Sequence, residues 1–233
     1  MCFIYAGNEL YIFETASNWK NYYGSILKPF LHGDVLEVGA GIGGTTQILC
    51  DGSQRRWVCL EPDRNLSALI EVKVESGSLP GCCSVQTGTI SDLSAKSLFE
   101  AILYIDVIEH IEHDAEELYR ATQHLAETGK LIVLAPSHQW LFSPFDKAIG
   151  HYRRYNMSML CGIVPRNLKV RRIEYLDCAG LCVSLMNKLL LRQSQPSRSQ
   201  IEYWDRYLIP ISRFVDPLFG HKIGKTILGI WEK

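Results

Sequence analysis

The eight cysteines include no C-x-x-C pair, so the spacing of a zinc finger is absent. Neither charge is in excess: Lys plus Arg number 24 and Asp plus Glu number 25, a net charge of -1. A protein that neutralises many phosphates is expected to be basic, so nucleic acid is not an expected partner and only a local basic patch stays open. No apolar run reaches the ~20 residues that span a bilayer. The most apolar stretch, 178–191, contains Asn187 and Lys188. The first residues do not read as a secretory leader. Several cysteines lie in apolar segments, where a free thiol behaves as a small hydrophobe, and a reducing cytoplasm is the expected compartment. There is no internal repeat and no boundary that splits the chain. Hydrophobic residues at 47% and charged residues at 21% exclude disorder, collagen and coiled coil. At ~100–200 residues per domain, 233 residues make one large domain, 1–233, able to bury a core without staples.

What is present is an alternation of short apolar runs and helical patterns. The spacing predicts helices over 15–30, 45–50, 64–75, 114–125, 156–164 and 178–191. Between them, strands are expected at 35–38, 57–60, 82–87, 99–105, 130–135, 168–175 and 226–231, with Gly129 stopping the fourth helix. Residues 192–200 are polar, with Ser, Gln and Pro, and read as a loop. Such alternation means a parallel sheet covered on both faces, an α/β fold.

Glu37-Val38-Gly39-Ala40-Gly41-Ile42-Gly43-Gly44 follows the first strand and opens a helix. Glycines there let the backbone turn sharply and approach a ligand closely. Gly39, Gly41 and Gly44 satisfy G-x-G-x-x-G, which by itself suggests a dinucleotide or only a tight turn. Two acids argue for another ligand. Glu37 sits two residues before the first glycine, where a pyrophosphate is unwelcome and a cation is not. Glu61 ends the second strand, where a carboxylate can accept hydrogen bonds from ribose hydroxyls. Together they describe a nucleoside with a positively charged tail and no phosphates.

With Val35-Leu36-Glu37-Val38-Gly39-Ala40-Gly41-Ile42-Gly43, Leu60-Glu61-Pro62-Asp63, Asp106-Val107-Ile108-Glu109-His110 and Gly129-Lys130-Leu131-Ile132-Val133-Leu134-Ala135-Pro136 in that order, residues 33–155 resemble the class I S-adenosylmethionine (SAM)-dependent methyltransferases of the Rossmann-like type 11/12 superfamily. The resemblance implies a doubly wound seven-stranded sheet, mostly parallel with an antiparallel last strand, and helices on both faces. Residues 1–32 would form an N-terminal helical lid and 137–219 the substrate-side insertions. SAM would be the cofactor and S-adenosylhomocysteine (SAH) the product. Glu37, Gly39, Ala40 and Gly41 would line the methionine and ribose side, and Glu61 with Pro62 would bind the ribose. Thr89 and Ile90 would flank the adenine, although many relatives carry Asp where this chain has Thr89. Asp106 would face the methionine portion or the transferred methyl.

Methyl transfer needs an aligned nucleophile and, for a protonated oxygen or nitrogen, a base. His110 and His151 stand where strand ends converge, and either imidazole suits that task. Asp106, Glu109 and His110 fall at i, i+3 and i+4, and with His151 they make a possible metal set. That set resembles the Glu-x-x-Glu-His cluster of some metal-dependent O-methyltransferases, with Asp106 in place of the first Glu. The alternative is that Glu109 and His110 only cap the helix, with no metal. Gly150-His151-Tyr152-Arg153-Arg154-Tyr155 resembles a stretch of bacterial envelope- and natural-product-associated methyltransferases. Its Arg153 and Arg154 are candidates for an anionic group on the substrate, or a solvated basic turn. His138 after the fifth strand, and Tyr22 and Tyr23 on the first helix, are the other substrate-side candidates. The apolar segments 178–191 and 208–219, near Arg192 and Arg198, are open to core packing, a substrate channel, a dimer face or a peripheral membrane contact. The expected acceptor is a small molecule, a sugar or a lipid-linked intermediate. A catalytically inactive SAM-binding module and a nicotinamide dehydrogenase are the alternatives.

Overall fold

The computed structural model describes residues 9–186, 188 and 197–233. Its strands are β1 (Asp34–Val38), β2 (Arg56–Glu61), β3 (Cys83–Thr87), β4 (Phe99–Ile105), β5 (Leu125–Pro136), β6 (Lys169–Leu176) and β7 (Thr226–Glu232). They form one seven-stranded sheet in the order β3-β2-β1-β4-β5-β7-β6. β7 runs antiparallel to both β5 and β6, and the pairings from β3 through β5 are parallel.

The helices are α1 (Glu9–Glu14), α2 (Ser17–Leu27), α3 (Thr46–Leu49), α4 (Arg64–Glu75), α5 (Asp114–Gln123), α6 (Pro144–Ala148), α7 (Met157–Ile163), α8 (Cys178–Met186), α9 (Arg198–Tyr203) and α10 (Ile209–Val215). Both faces are buried at the centre of the sheet, so β1, β2, β4 and β7 are mostly apolar runs, while the edge strands β3 and β6 are partly exposed. Successive residues alternate between two cores. Val35, Ala101 and Leu103 pack with Tyr23 and Leu27 of α2, Ile70 of α4 and Ile209 of α10. Leu36, Ile102 and Tyr104 pack with Leu118 of α5 and Leu160 of α7 on the other side.

Two expectations are corrected. Gly129 does not stop α5, which ends at Gln123 with His124 as its C-cap. Gly129 lies inside β5, in a bulge where Phe99 pairs with Leu125 but Ala101 pairs with Lys130. A Cβ there would stand 2.9 Å from the Ala126 carbonyl and 3.0 Å from that of Phe99, so the close backbone approach requires glycine. The first helix is also shorter than 15–30. Pro29 tightens its end into a single 3-10 turn, Lys28–Phe30. The 178–191 helix is seen as α8, and its remaining residues, Lys188 apart, lie outside the described residues, as does Arg192. At the end of the 192–200 segment, Ser197 accepts from the Gln200 N–H and starts α9. A π turn, Trp204–Leu208, joins α9 to α10 just before Pro210, a place where the missing N–H and the ring crowding interrupt regular α hydrogen bonding.

Candidate active site

The chain reverses its strand order between β1 and β4, which opens a crevice at the carboxyl ends of the strands. A cavity of about 960 Å³ fills it. The floor on one side is the glycine loop: Gly39, Ala40, Gly41 and Ile42 line the cavity. Gly39 has φ +67 and donates its N–H to the Leu60 carbonyl at 2.8 Å. A Cβ on Gly39 would lie 2.6 Å from Val107 Cγ2, so the loop packs against the turn after β4 as only glycine allows.

The two acids beside the loop act on the loop itself. Glu61 Oε2 accepts the Gly41 N–H at 2.7 Å and Oε1 accepts the Asp63 N–H at 2.9 Å. Burial pushes Glu61 up to about 7, against the pull of those two donors. Glu37 does not face the cavity as expected for a group beside the ligand. Its Oε2 accepts from Thr46 Oγ1 at 2.6 Å and from Trp57 Nε1 at 2.9 Å in the core between β1 and α3.

Asp106, Glu109, His110 and His151 also line the cavity. Asp106, at the end of β4, has φ 53 and opens onto the cavity. Asp106 is exposed toward the cavity, and the protein packed around it partly desolvates its carboxyl and pushes it up to about 6, against the pull of His151, Lys225 and Lys20. His151 Nδ1 lies 2.9 Å from Asp146 Oδ1. Asp146 is fully buried, and it also accepts from Ser143 and from Arg154 Nε and Nη2. These donors, with the Arg154 charge, hold its carboxyl well below the usual range despite burial. An ionised Asp146 accepts only, so in the neutral His151 ring Nδ1 carries the proton and Nε2 is left as the acceptor. The His110 ring meets His151 edge-on, with centroids 4.5 Å apart. Burial, helped by the His151 charge, pushes His110 down to about 4, which keeps it neutral near neutral pH.

Glu109 is 1% exposed, its Oε1 is 3.8 Å from His151 Nε2, and its Oε2 has no hydrogen-bond partner. Burial and the Asp106 charge raise its carboxyl well above the ordinary range. Glu109, His110 and His151 offer ligand atoms within 4.8 Å of one another; Asp106 is not in that group. Trp19, Lys20 and Tyr23 of α2, Trp204 of the π turn and Lys225 before β7 line the cavity as well.

No family sequence model and no curated protein matches the chain. Solved structures do. A putative sarcosine dimethylglycine methyltransferase from Galdieria sulphuraria superposes with a TM-score of 0.63 at 14% identity, covering 93% of this chain and 85% of its own. A cyclopropane synthase from Mycobacterium tuberculosis gives 0.61 at 16% identity, covering 91% and 83%. The phosphoethanolamine N-methyltransferase 2 of Haemonchus contortus, in complex with SAM, gives 0.66 at 15% identity, covering 96% of this chain and 55% of that one. The chain has the class I SAM-dependent methyltransferase fold.

In this methyltransferase fold the expected residues separate into two groups. Gly39, Ala40, Gly41, Asp106, His110, His151, Tyr23 and Arg154 meet in the cavity. The others do not line it, for identifiable reasons. Tyr22 donates its hydroxyl to buried Asp216 at 2.8 Å, tying α2 to the end of α10. Arg153 is spent on Asp114 Oδ2 and the Glu112 carbonyl. His138 is turned away from the cavity: its Nε2 is 3.0 Å from the Gly224 carbonyl and its ring stacks on Trp140 and Tyr175. Ile90 is 1% exposed in the second core, and Thr89 caps a 3-10 turn through Asp92. Pro62 is also outside the lining. The sequence reading missed Asp146, Lys20 and Lys225. Asp146 had a signal, a Ser-Pro-x-Asp capping box within the Arg-rich stretch; the two lysines had none.

Proposed function

We propose that the chain binds SAM in this cavity and transfers its methyl group to an oxygen or nitrogen nucleophile of a small-molecule, sugar or lipid-linked acceptor. The reading is carried by one observation: one cavity of about 960 Å³ is lined by the bare glycine backbone, by Asp106 and by a His151–Asp146 pair. SAM supplies an electrophilic methyl on a sulfonium sulfur, and transfer is an in-line displacement. Gly39, Ala40 and Gly41 present backbone that admits close approach. Asp106 offers a carboxylate to the cationic end. Asp146 fixes the His151 tautomer so that Nε2 takes the acceptor's proton, the orienting role a carboxylate plays toward histidine in other sites. Neutral His110 abuts His151 without adding charge. Trp19, Tyr23 and Trp204 give the cavity an apolar, aromatic wall.

A second reading, metal-assisted O-methylation, is favoured by one observation, the buried and unpartnered Oε2 of Glu109. Two imidazoles and a carboxylate are the donor set of many catalytic zinc sites. Glu109, His110 and His151 would hold the ion, Asp146 would orient His151 behind it, and the ion would polarise the acceptor oxygen.

The test is calorimetric titration of the purified chain with SAH and, in parallel, with NAD. Micromolar binding of SAH and none of NAD is expected. The reverse selects the dehydrogenase alternative, and binding of neither overturns both. Titrating the same preparation with Zn2+ decides the second reading: stoichiometric binding lost in Glu109→Gln supports it, and no binding removes it.

A further inference from the structure

The helical run 198–219 is apolar on the side that faces out. Tyr203, Tyr207, Ile211, Phe214 and Leu218 follow one another at three- and four-residue spacing and so share a face. All five are exposed, Phe214 at 74% and Leu218 at 72%. The Tyr203 and Tyr207 rings lie 5.1 Å apart. The opposite face is already used, since Ile201, Trp204, Ile209 and Ser212 are buried against the domain. A surface helix shows water its polar side; this one shows a contiguous apolar stripe, which marks a partner.

Two observations say which partner. The first is charge. Among the described residues of 198–223, the only exposed acid is Glu202, and it is paired with Arg198. Arg206, Arg213 and Lys222 remain as exposed cations beside the stripe, with Arg206 lying over the Tyr207 ring at 5.5 Å. A second copy of this face would meet like charge; an anionic bilayer meets opposite charge. Tyrosine rings beside arginines also suit the boundary between headgroups and acyl chains. The second observation is continuity with the cavity. Tyr203, Val183 and Met186 are each exposed, and each also lines the cavity wall.

We propose that this outward face docks the protein on an anionic membrane surface, and that an amphiphilic acceptor enters the cavity past Tyr203, Val183 and Met186. The docking stands on the surface alone; the acceptor class rests on the methyl-transfer reading above. The stripe supplies apolar area to the acyl boundary, the cations supply attraction to anionic headgroups, and the two act together as in interfacial helices.

The experiment is co-sedimentation of the full chain with vesicles of phosphatidylcholine alone and of phosphatidylcholine mixed with phosphatidylglycerol. Binding to the mixed vesicles, weakened by high salt, is expected. The double variant Phe214→Ser, Leu218→Ser should bind them roughly tenfold less, with an unchanged circular dichroism spectrum because both side chains stand in solvent. No sedimentation with mixed vesicles overturns the proposal. So does wild-type binding by the double variant, or a solution dimer that the double variant dissolves while vesicles bind neither form. SAH titration of the same preparation separates the two readings. Vesicle binding without SAH binding keeps the docking and removes the acceptor class. SAH binding without vesicle binding overturns the docking alone.

Discussion

Glu37 is a carboxyl group set in an apolar sheet, and its neighbours decide its charge. Two donors, Thr46 Oγ1 and Trp57 Nε1, share one of its oxygens. They lower its pKa less than burial raises it, and the group is pushed up to about 7. Its role is therefore to tie β1 to α3 beneath the glycine loop. The linkage follows from the direction of the shift. A carboxyl whose folded pKa exceeds its unfolded value stabilises the fold below the unfolded value, and that contribution is lost as pH rises through the folded one. Glu37→Gln keeps an acceptor for both donors and cannot ionise. Relative to that variant, the wild-type chain should lose about 1 kcal/mol of stability between about pH 6 and about pH 8. Urea unfolding of both proteins at the two pH values measures this; a difference that does not change with pH would mean that Glu37 is ordinary. Glu61 obeys the same physics in a different place, holding the Gly41 and Asp63 N–H groups where a ribose acceptor was expected.

At the scale of an element, the glycine loop and the turn after β4 are one packed unit. Gly39→Ala imposes two costs, a side chain at φ +67 and a Cβ 2.6 Å from Val107 Cγ2. A loss of about 2–4 kcal/mol is expected. Val107→Ala removes the atoms that clash but not the backbone strain, so the double variant should recover about 1 kcal/mol relative to the sum of the singles. Strict additivity in chemical denaturation would show that the two segments do not touch. Elements of this kind are legible from sequence where local chemistry sets both ends. α4 runs Arg64–Glu75 as its spacing predicts because Asp63 caps it, accepting the Asn65 and Leu66 N–H groups. The start of β5 is not legible. Leu125 leaves the helix to pair with Phe99, a contact far away in sequence, and the bulge through Gly129 exists to restore register with Ala101. Likewise the glycine loop announces the cavity's floor, whereas Tyr22 and Arg153 look like ligand groups until the turn after α10 supplies Asp216 and α5 supplies Asp114.

The charge of the cavity belongs to the whole molecule. Lys20 comes from the second helix, Asp106 from the middle strand, Asp146 and Arg154 from the connection after β5, and Lys225 from the approach to the last strand. No local pattern could report their sum. Burial lowers the pKa of Lys20 and of Lys225, and it raises that of Asp106 to about 6. The balance at the cationic end of the proposed ligand therefore depends on Asp106. SAM and SAH differ there by one positive charge and one methyl group. As pH rises through about 6, Asp106 ionises, and the sulfonium of SAM gains an attraction that the neutral sulfur of SAH does not feel. The preference for SAM over SAH should grow by about 1 kcal/mol, roughly fivefold, between about pH 5 and about pH 8. Asp106→Asn should hold the ratio constant across that range, which separates Asp106 from every other group that titrates in the cavity. Competitive titration of both ligands against both proteins measures it. A wild-type ratio that stays flat would place the sulfur away from Asp106 and return the end of β4 to a purely structural role.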